Sequence, residues 1–244
     1  MATMIDMVGV TKRYERGGQT LTVLDRLDLD VPQGDFVAMM GPSGSGKSTI
    51  LNLVGGLDSS DEGRITVAGN EVSSMSRGQL AEWRSRHIGF VFQAFNLVPV
   101  LTALENVLLP LQLQPLSRAE RRKQAEFALS IVGLTDRMHH RPKQLSGGQE
   151  QRVAIARAIA TDPDIILADE PTGDLDRDSA NAIMDLLRRL NTELKKTLVV
   201  VTHDDVAAQR AKRVLHLDKG VLLDKGTAAA GATAKAAASA GTAR

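Results

Sequence analysis

Asp35-Phe36-Val37-Ala38-Met39-Met40-Gly41-Pro42-Ser43-Gly44-Ser45-Gly46-Lys47-Ser48-Thr49 is the stretch on which the architecture turns. From Asp35 to Met40 the chain carries a short apolar run of the kind found in a strand buried on both faces. Gly41 to Ser48 fit the pattern G-x-x-x-x-G-K-[ST], and from Thr49 to Leu57 apolar residues recur at helical spacing. Strand, glycine-rich loop and helix in that order make a phosphate cradle. The glycines let backbone N–H groups turn inward without Cβ obstruction. The helix adds its positive N-terminal end. Lys47 supplies a point charge for β- and γ-phosphates, and Ser48 offers a hydroxyl to Mg²⁺. A glycine loop that only caps a helix is the competing reading, and the flanking strand and helix count against it.

Working outward, Asp164-Ile165-Ile166-Leu167-Ala168-Asp169-Glu170 is an apolar strand that ends in two acids. Carboxylates at the C-terminal end of such a strand lie where α/β sheets place ligands. Asp169 is read as the partner of the metal opposite Ser48, and Glu170 as the group that orients or deprotonates water. Alone, a solvent-facing strand cap explains such a pair equally well. Ile88–Phe92 and Leu198–Val201 are further strands, and a helix is expected at about Asp178–Leu194. This alternation predicts parallel βαβ units and an α/β core. Upstream, Ile5–Val10 and Leu21–Val31 flank the turn signal Arg16-Gly17-Gly18, and Ile65–Val67 adds another strand. Between about 94 and 160 the texture becomes helical, with helices expected at Ser117–Leu134 and Gln149–Ile159. Residues 227–244 are rich in alanine without large apolar side chains, and are expected to form a mobile tail.

Composition narrows the functional classes. Thirty Lys and Arg against 29 Asp and Glu give a formal charge of +1, unlike a nucleic-acid-coating protein. There is no cysteine, hence no disulfide framework and no thiolate metal site. No window approaches the ~18 uninterrupted apolar residues of a membrane span. The greasiest region, Leu101 to Leu113, is broken by Glu105, Asn106 and Pro110. A membrane link therefore has to come through a partner.

Leu145-Ser146-Gly147-Gly148-Gln149 resembles the signature motif of ABC ATPases. Its chemistry is again anion binding, with a serine and glycine amides at the start of a helix. An ordinary N-capped helix is the bland alternative. The resemblance spans about residues 4–226 and implies a P-loop NTPase (RecA-like) core at about 1–93 and 161–226, with an antiparallel β subdomain and an inserted α-helical subdomain at about 94–160. It implies that the signature faces the γ-phosphate held by a second copy of the chain, giving an ATP-sandwich homodimer. Tyr14 matches the aromatic residue that stacks on adenine, although a strand-packing tyrosine is a rival. Gln93 matches a glutamine that touches Mg²⁺ and water, and His203 a histidine at the γ-phosphate. Asp174 and Asp176 fall in a loop that addresses the opposite subunit. Ile88 to Pro99 and Ala168-Asp169-Glu170-Pro171-Thr172-Gly173 look like the lipoprotein-releasing and macrolide-exporting subfamily. There, Asp174 stands where asparagine is common, and Glu150 replaces a frequent glutamine. The resemblance implies ATP and Mg²⁺ as ligands, and an integral membrane permease as partner on the cytoplasmic face of the inner membrane. A soluble ABC ATPase acting on DNA or ribosomes, or a regulatory switch, is the alternative. One phosphate loop, no heptad array and a complete set of Lys47, Asp169, Glu170 and His203 weigh against both.

Overall fold

Alternation inside the central strands explains the layering. Phe36, Ala38 and Met40 point into one buried cluster and Val37 and Met39 into another. Ile166 and Ala168 against Ile165 and Leu167, and Leu198 and Val200 against Val199 and Val201, divide in the same way. A strand with apolar side chains on both faces has to lie between two layers.

The computed structural model describes residues 2–223. The elements run β1 (Thr3–Arg16), β2 (Gln19–Pro32), β3 (Phe36–Met40), α1 (Lys47–Val54), β4 (Glu62–Val67), β5 (Asn70–Glu71), α2 (Arg77–His87) and β6 (Ile88–Phe92). There follow α3 (Ala103–Leu111), α4 (Arg118–Ile131), α5 (Gly147–Ile159), β7 (Ile165–Asp169), α6 (Arg177–Thr192), β8 (Thr197–Val201), α7 (Asp205–Ala208), β9 (Arg213–Asp218) and β10 (Val221–Leu223). One sheet has the order β10-β9-β3-β8-β7-β6, parallel except for the β9–β10 hairpin. The other, β2-β1-β4-β5, is antiparallel.

The antiparallel sheet, α1 and Trp83 of α2 cover one face of the parallel sheet. Helices α3 to α6 cover the other, and the apolar faces of α3, α4 and α5 join the same cluster as the strands. Burying these faces, at about 25 cal/mol per Å² of apolar surface, is the main term holding the layers together.

Several boundaries differ from the sequence expectation. The helix expected at Thr49–Leu57 starts at Lys47 and stops at Val54, where Gly55 and Gly56 take over and Gly56 turns to φ 63°. β1 and β2 are longer than the apolar runs that announced them, because backbone pairing carries on to Arg16 and Gln19 after the buried face ends. The helices expected from Ser117 and Gln149 begin at Arg118 and Gly147, with Ser117 and Ser146 as N-caps. The stretch 227–244 lies outside the described residues.

Candidate functional site

Gly41 shows why the phosphate loop has its composition. It sits at φ 153°, and a Cβ there would lie 2.1 Å from the Leu217 carbonyl oxygen. Only glycine lets the loop leave β3 this close to β9. The loop turns through Gly44 and Gly46 into the first turn of α1, where Lys47 begins the helix. Lys47 is buried, and its ammonium donates to the carbonyls of Gly41 (2.8 Å) and Pro42 (2.9 Å). Two of its three donors are thus committed to the loop, and one is left for an anion.

Across from the loop, β7 and β8 deliver the remaining groups at their C-terminal ends. The Ser48 hydroxyl donates to Asp169 Oδ1 at 3.2 Å. Burial pushes the Asp169 carboxyl up, the nearby Glu170 adds to this, and the Ser48 bond and Lys47 oppose it. Glu170 follows in the left-handed region at φ 47°, and its N–H donates to the Val201 carbonyl at 2.9 Å. A non-glycine residue in that conformation carries strain of about 1–3 kcal/mol and persists only where its surroundings hold it. The Glu170 carboxylate lies 2.9 Å from His203 Nδ1. Gly41, Ser43, Gly44, Gly46, Lys47, Ser48, Thr49, Asp169, Glu170 and His203 all line one cavity of about 510 Å³. An ammonium, a hydroxyl, two carboxylates and an imidazole around an open glycine-lined cavity suit a polyphosphate substrate.

Other expected residues lie elsewhere. Pro42 and Ser45 belong to the loop but do not line the cavity. Neither does Tyr14, whose hydroxyl donates to Asp58 at 2.7 Å. Gln93 is exposed at the end of β6 and its amide donates to Asp174 Oδ1 at 2.9 Å, away from the cavity. Asp176 is the N-cap of α6: one oxygen accepts from the N–H groups of Asp178 and Ser179, the other from the Ser179 hydroxyl. Those bonds, the Ser179 N–H foremost, hold its carboxyl below the usual range. The next turn beyond Gln93 has Phe95 and Asn96 both at positive φ, with their carbonyls accepting from the Arg157 guanidinium.

The signature residues form a second groove. Ser146 and Gln149 close a reciprocal capping box at the start of α5, at 3.3 and 3.0 Å. Gly148 packs on α6, where an added Cβ would lie 3.0 Å from Ser179 Oγ. Leu145 packs on the core, and Gly147 faces Leu175. Glu150 occupies the first turn, and burial pushes its carboxyl up. The groove of about 410 Å³ in front of Ser146, Gly148 and Gln149 shares no residue with the cavity at Lys47.

The sequence reading did not single out Gln151. This wholly buried α5 side chain donates from Nε2 to the Pro171 carbonyl (2.6 Å) and to the Phe92 carbonyl (3.4 Å). It thereby ties the signature helix to the residues beside Glu170 and beside Gln93. A glutamine placed among Val153, Ala154 and Ile155 was the available signal, since a polar residue at such a position requires a partner.

Comparison with known proteins agrees with this geometry. Residues 24–173 match the family model described as ABC transporter. The chain belongs to the ABC transporter family, as an ATP-binding subunit. It is 45% identical to the lipoprotein-releasing system ATP-binding protein LolD of Chromohalobacter salexigens, over 90% of this chain and 92% of that one. It is 47% identical to the macrolide export ATP-binding/permease protein MacB of Rhodopseudomonas palustris, over 90% of this chain but 33% of MacB. Among solved structures, the MJ0796 cassette of Methanocaldococcus jannaschii, a dimer in a post-hydrolysis state bound to ADP and Pi, superposes with a TM-score of 0.84. That match has 46% identity and covers 92% of this chain and 98% of MJ0796. The ABC cassette fold and the likeness to LolD and MacB bear out the family and subfamily resemblance read from the motifs.

Proposed function

We propose that this ABC subunit hydrolyses ATP in two composite sites, each made of one chain's phosphate loop and a second copy's signature groove, and that the opening and closing of this dimer drives a membrane permease. The observation that carries the reading is the separation of the two grooves within one chain. Each is half of an anion site, and neither finds its complement in its own molecule. The MJ0796 cassette, dimeric with ADP and Pi, supports the same arrangement.

Lys47 and the loop amides hold the β- and γ-phosphates, and Ser146 with the Gly147 and Gly148 amides grips the γ-phosphate from the other copy. Glu170 orients the attacking water and accepts its proton. His203, anchored through Nδ1, keeps Nε2 free for the γ-phosphate. Ser48 and Asp169 are hard oxygen donors of the type Mg²⁺ selects. Once bound there, Mg²⁺ would neutralise charge on the β- and γ-oxygens. Gln93, set by the resemblance at Mg²⁺ and water, is held through Nε2 by Asp174.

Among the described residues no helix is long and apolar enough to cross a membrane. A groove between α2, β6, α3 and α5, lined by Ile88, Phe90, Phe92, Pro110 and Leu113 with Arg84 and Arg157, offers a seat for a permease helix on the cytoplasmic face. Lipoprotein release or export suits the likeness to LolD and MacB.

Glu170→Gln tests the reading. ATP binding is retained, turnover falls by about 10²–10⁴-fold, and an ATP-dependent dimer accumulates on size-exclusion chromatography. Turnover at the parental rate removes Glu170 from the chemistry.

A further inference from the structure

Lys12 and Tyr14 are two residues apart on β1 and therefore stand on the same face of the strand. Lys12 is buried, and its ammonium sits 4.9 Å from the centroid of the Tyr14 ring. The same ammonium donates to Asp58 Oδ1 and to the Ser59 carbonyl, both at 2.8 Å. The other Asp58 oxygen accepts from the Tyr14 hydroxyl at 2.7 Å. Burial alone would raise the Asp58 carboxyl, but the bonds from Lys12, Tyr14 and the Ser59 N–H outweigh it and hold it below the usual range. The Asp61 N–H donates to the Thr11 carbonyl (3.0 Å), and its carboxylate accepts from the Arg13 N–H, so the whole 58–61 turn is sewn to β1. That turn follows directly from α1, whose first residues form the phosphate cradle.

We propose that Lys12 and Asp58 are positioning residues for base recognition, clamping Tyr14 at one ring face and at its hydroxyl so that the opposite face is a preset platform for adenine. The proposal rests on the reading of Tyr14 as the base-stacking residue. Its physical content is preorganisation. An exposed tyrosine must give up ring rotation when a base stacks, whereas this ring has already given it up to a carboxylate and an ammonium. A cation on one face and a carboxylate at the hydroxyl also polarise the ring toward its partners. The 58–61 turn and the phosphate loop flank the same helix, α1, so the platform is tied to the element that begins with Lys47.

The test compares ATP with inorganic tripolyphosphate, which presents the phosphates without a base, in calorimetric titrations of the full chain. Stacking on an aromatic side chain favours a bound base, so Tyr14→Ala weakens ATP by about five- to 150-fold. Asp58→Asn and Tyr14→Phe, which keep the ring but take the charge or the hydroxyl out of the Tyr14–Asp58 bond, weaken ATP by about three- to tenfold, a part of that stacking effect. Tripolyphosphate affinity stays at the parental value in all three. Parallel loss of both ligands would show a structural role and overturn the proposal. Loss of ATP affinity in Tyr14→Ala alone would overturn the clamp while sparing the stacking reading. Parental ATP affinity in Tyr14→Ala would remove the stacking reading itself. Tyr14 is the only tyrosine in the chain, so tyrosinate absorbance reports on it alone. Burial and then the Asp58 bond raise its ionisation above the usual range, the Thr49 side chain opposes them, and Asp61 adds a smaller push upward. Asp58→Asn lowers that titration, and an unmoved titration overturns the clamp.

Discussion

Replacing Gln151 by methionine should loosen the joint between the signature helix and the two catalytic loops. The near-isosteric side chain keeps the volume but removes the amide. The Pro171 carbonyl, bonded at 2.6 Å in a buried position, then loses its donor, whereas the Phe92 carbonyl, 3.4 Å from the amide, still accepts from the Phe95 N–H. Leaving a buried acceptor unsatisfied costs about 1–3 kcal/mol, and the long Phe92 contact contributes little of this. In return the substitution removes Gln151 Oε1, itself buried without a partner, which gives back part of the loss. The net expectation is a destabilisation of about 1–2 kcal/mol, or about 2–8 °C in Tm for a chain of this size. Differential scanning calorimetry at fixed nucleotide and salt measures it. The functional consequence is larger than the thermal one, because the Pro171 carbonyl lies next to Glu170. The kcat should fall with little change in ATP Kd. A Tm equal to or above the parent, with kcat unaltered, refutes the claim that this amide transmits position between the signature and Glu170.

Asp169→Asn should raise the Tm of the nucleotide-free chain by about 1–3 °C while abolishing Mg²⁺-dependent turnover. The sign follows from a carboxyl whose folded pKa lies above its unfolded value: ionisation opposes folding at neutral pH, and the opposition fades as pH falls through the raised pKa. A lower Tm for the asparagine variant at pH 7 contradicts this. Gly148→Ala forces a methyl to within 3.0 Å of Ser179 Oγ and disturbs the Asp176 cap beneath it, so it should cost about 1–2 kcal/mol in urea unfolding and suppress ATP-dependent dimerisation. Asp174→Asn keeps a partner for Gln93 but removes a charge from the loop proposed to face the second copy. In the Glu170→Gln background it should lower the dimer Kd about two- to threefold at low salt, with the gain vanishing as salt rises.

The central strands were legible because they are buried on both faces, so their apolar runs are continuous and end abruptly. Phe36–Met40 and Thr197–Val201 announce themselves in this way. Helix α2 did not, since Trp83 is its one buried side chain and no apolar stripe exists to be seen. Its Ser76–Gln79 capping box was the remaining signal. Helix α3 was obscured by the residues that make it. Glu105 looks like an interruption but closes a capping box with Thr102. Asn106, fully buried, donates to the carbonyls of Val98, Leu101 and Thr102 and accepts the Val98 N–H. Of the site, the phosphate-loop pattern and the strand ending in two acids identified Lys47, Ser48, Asp169 and Glu170, the family resemblance added His203, and all five line one cavity. None of these signals told what a side chain bonds: the Gln93 amide, which the resemblance sets against Mg²⁺ and water, donates to Asp174, and the hydroxyl of Tyr14, whose ring it sets against adenine, donates to Asp58. The Gln151 and Lys12–Asp58 contacts were illegible for a related reason: each joins residues 20 or more positions apart, and one sequence carries no record of such pairings.

Two half-sites that share no residue, completed as proposed by a second copy, have a consequence for heredity. In a cell that makes both intact and damaged copies, a chain with a ruined phosphate loop still lends its serine and glycines to a healthy partner, and a chain with a ruined signature still lends its lysine. Crossing the two lesions therefore leaves one whole site in every mixed pair, whereas pairs of like mutants have none.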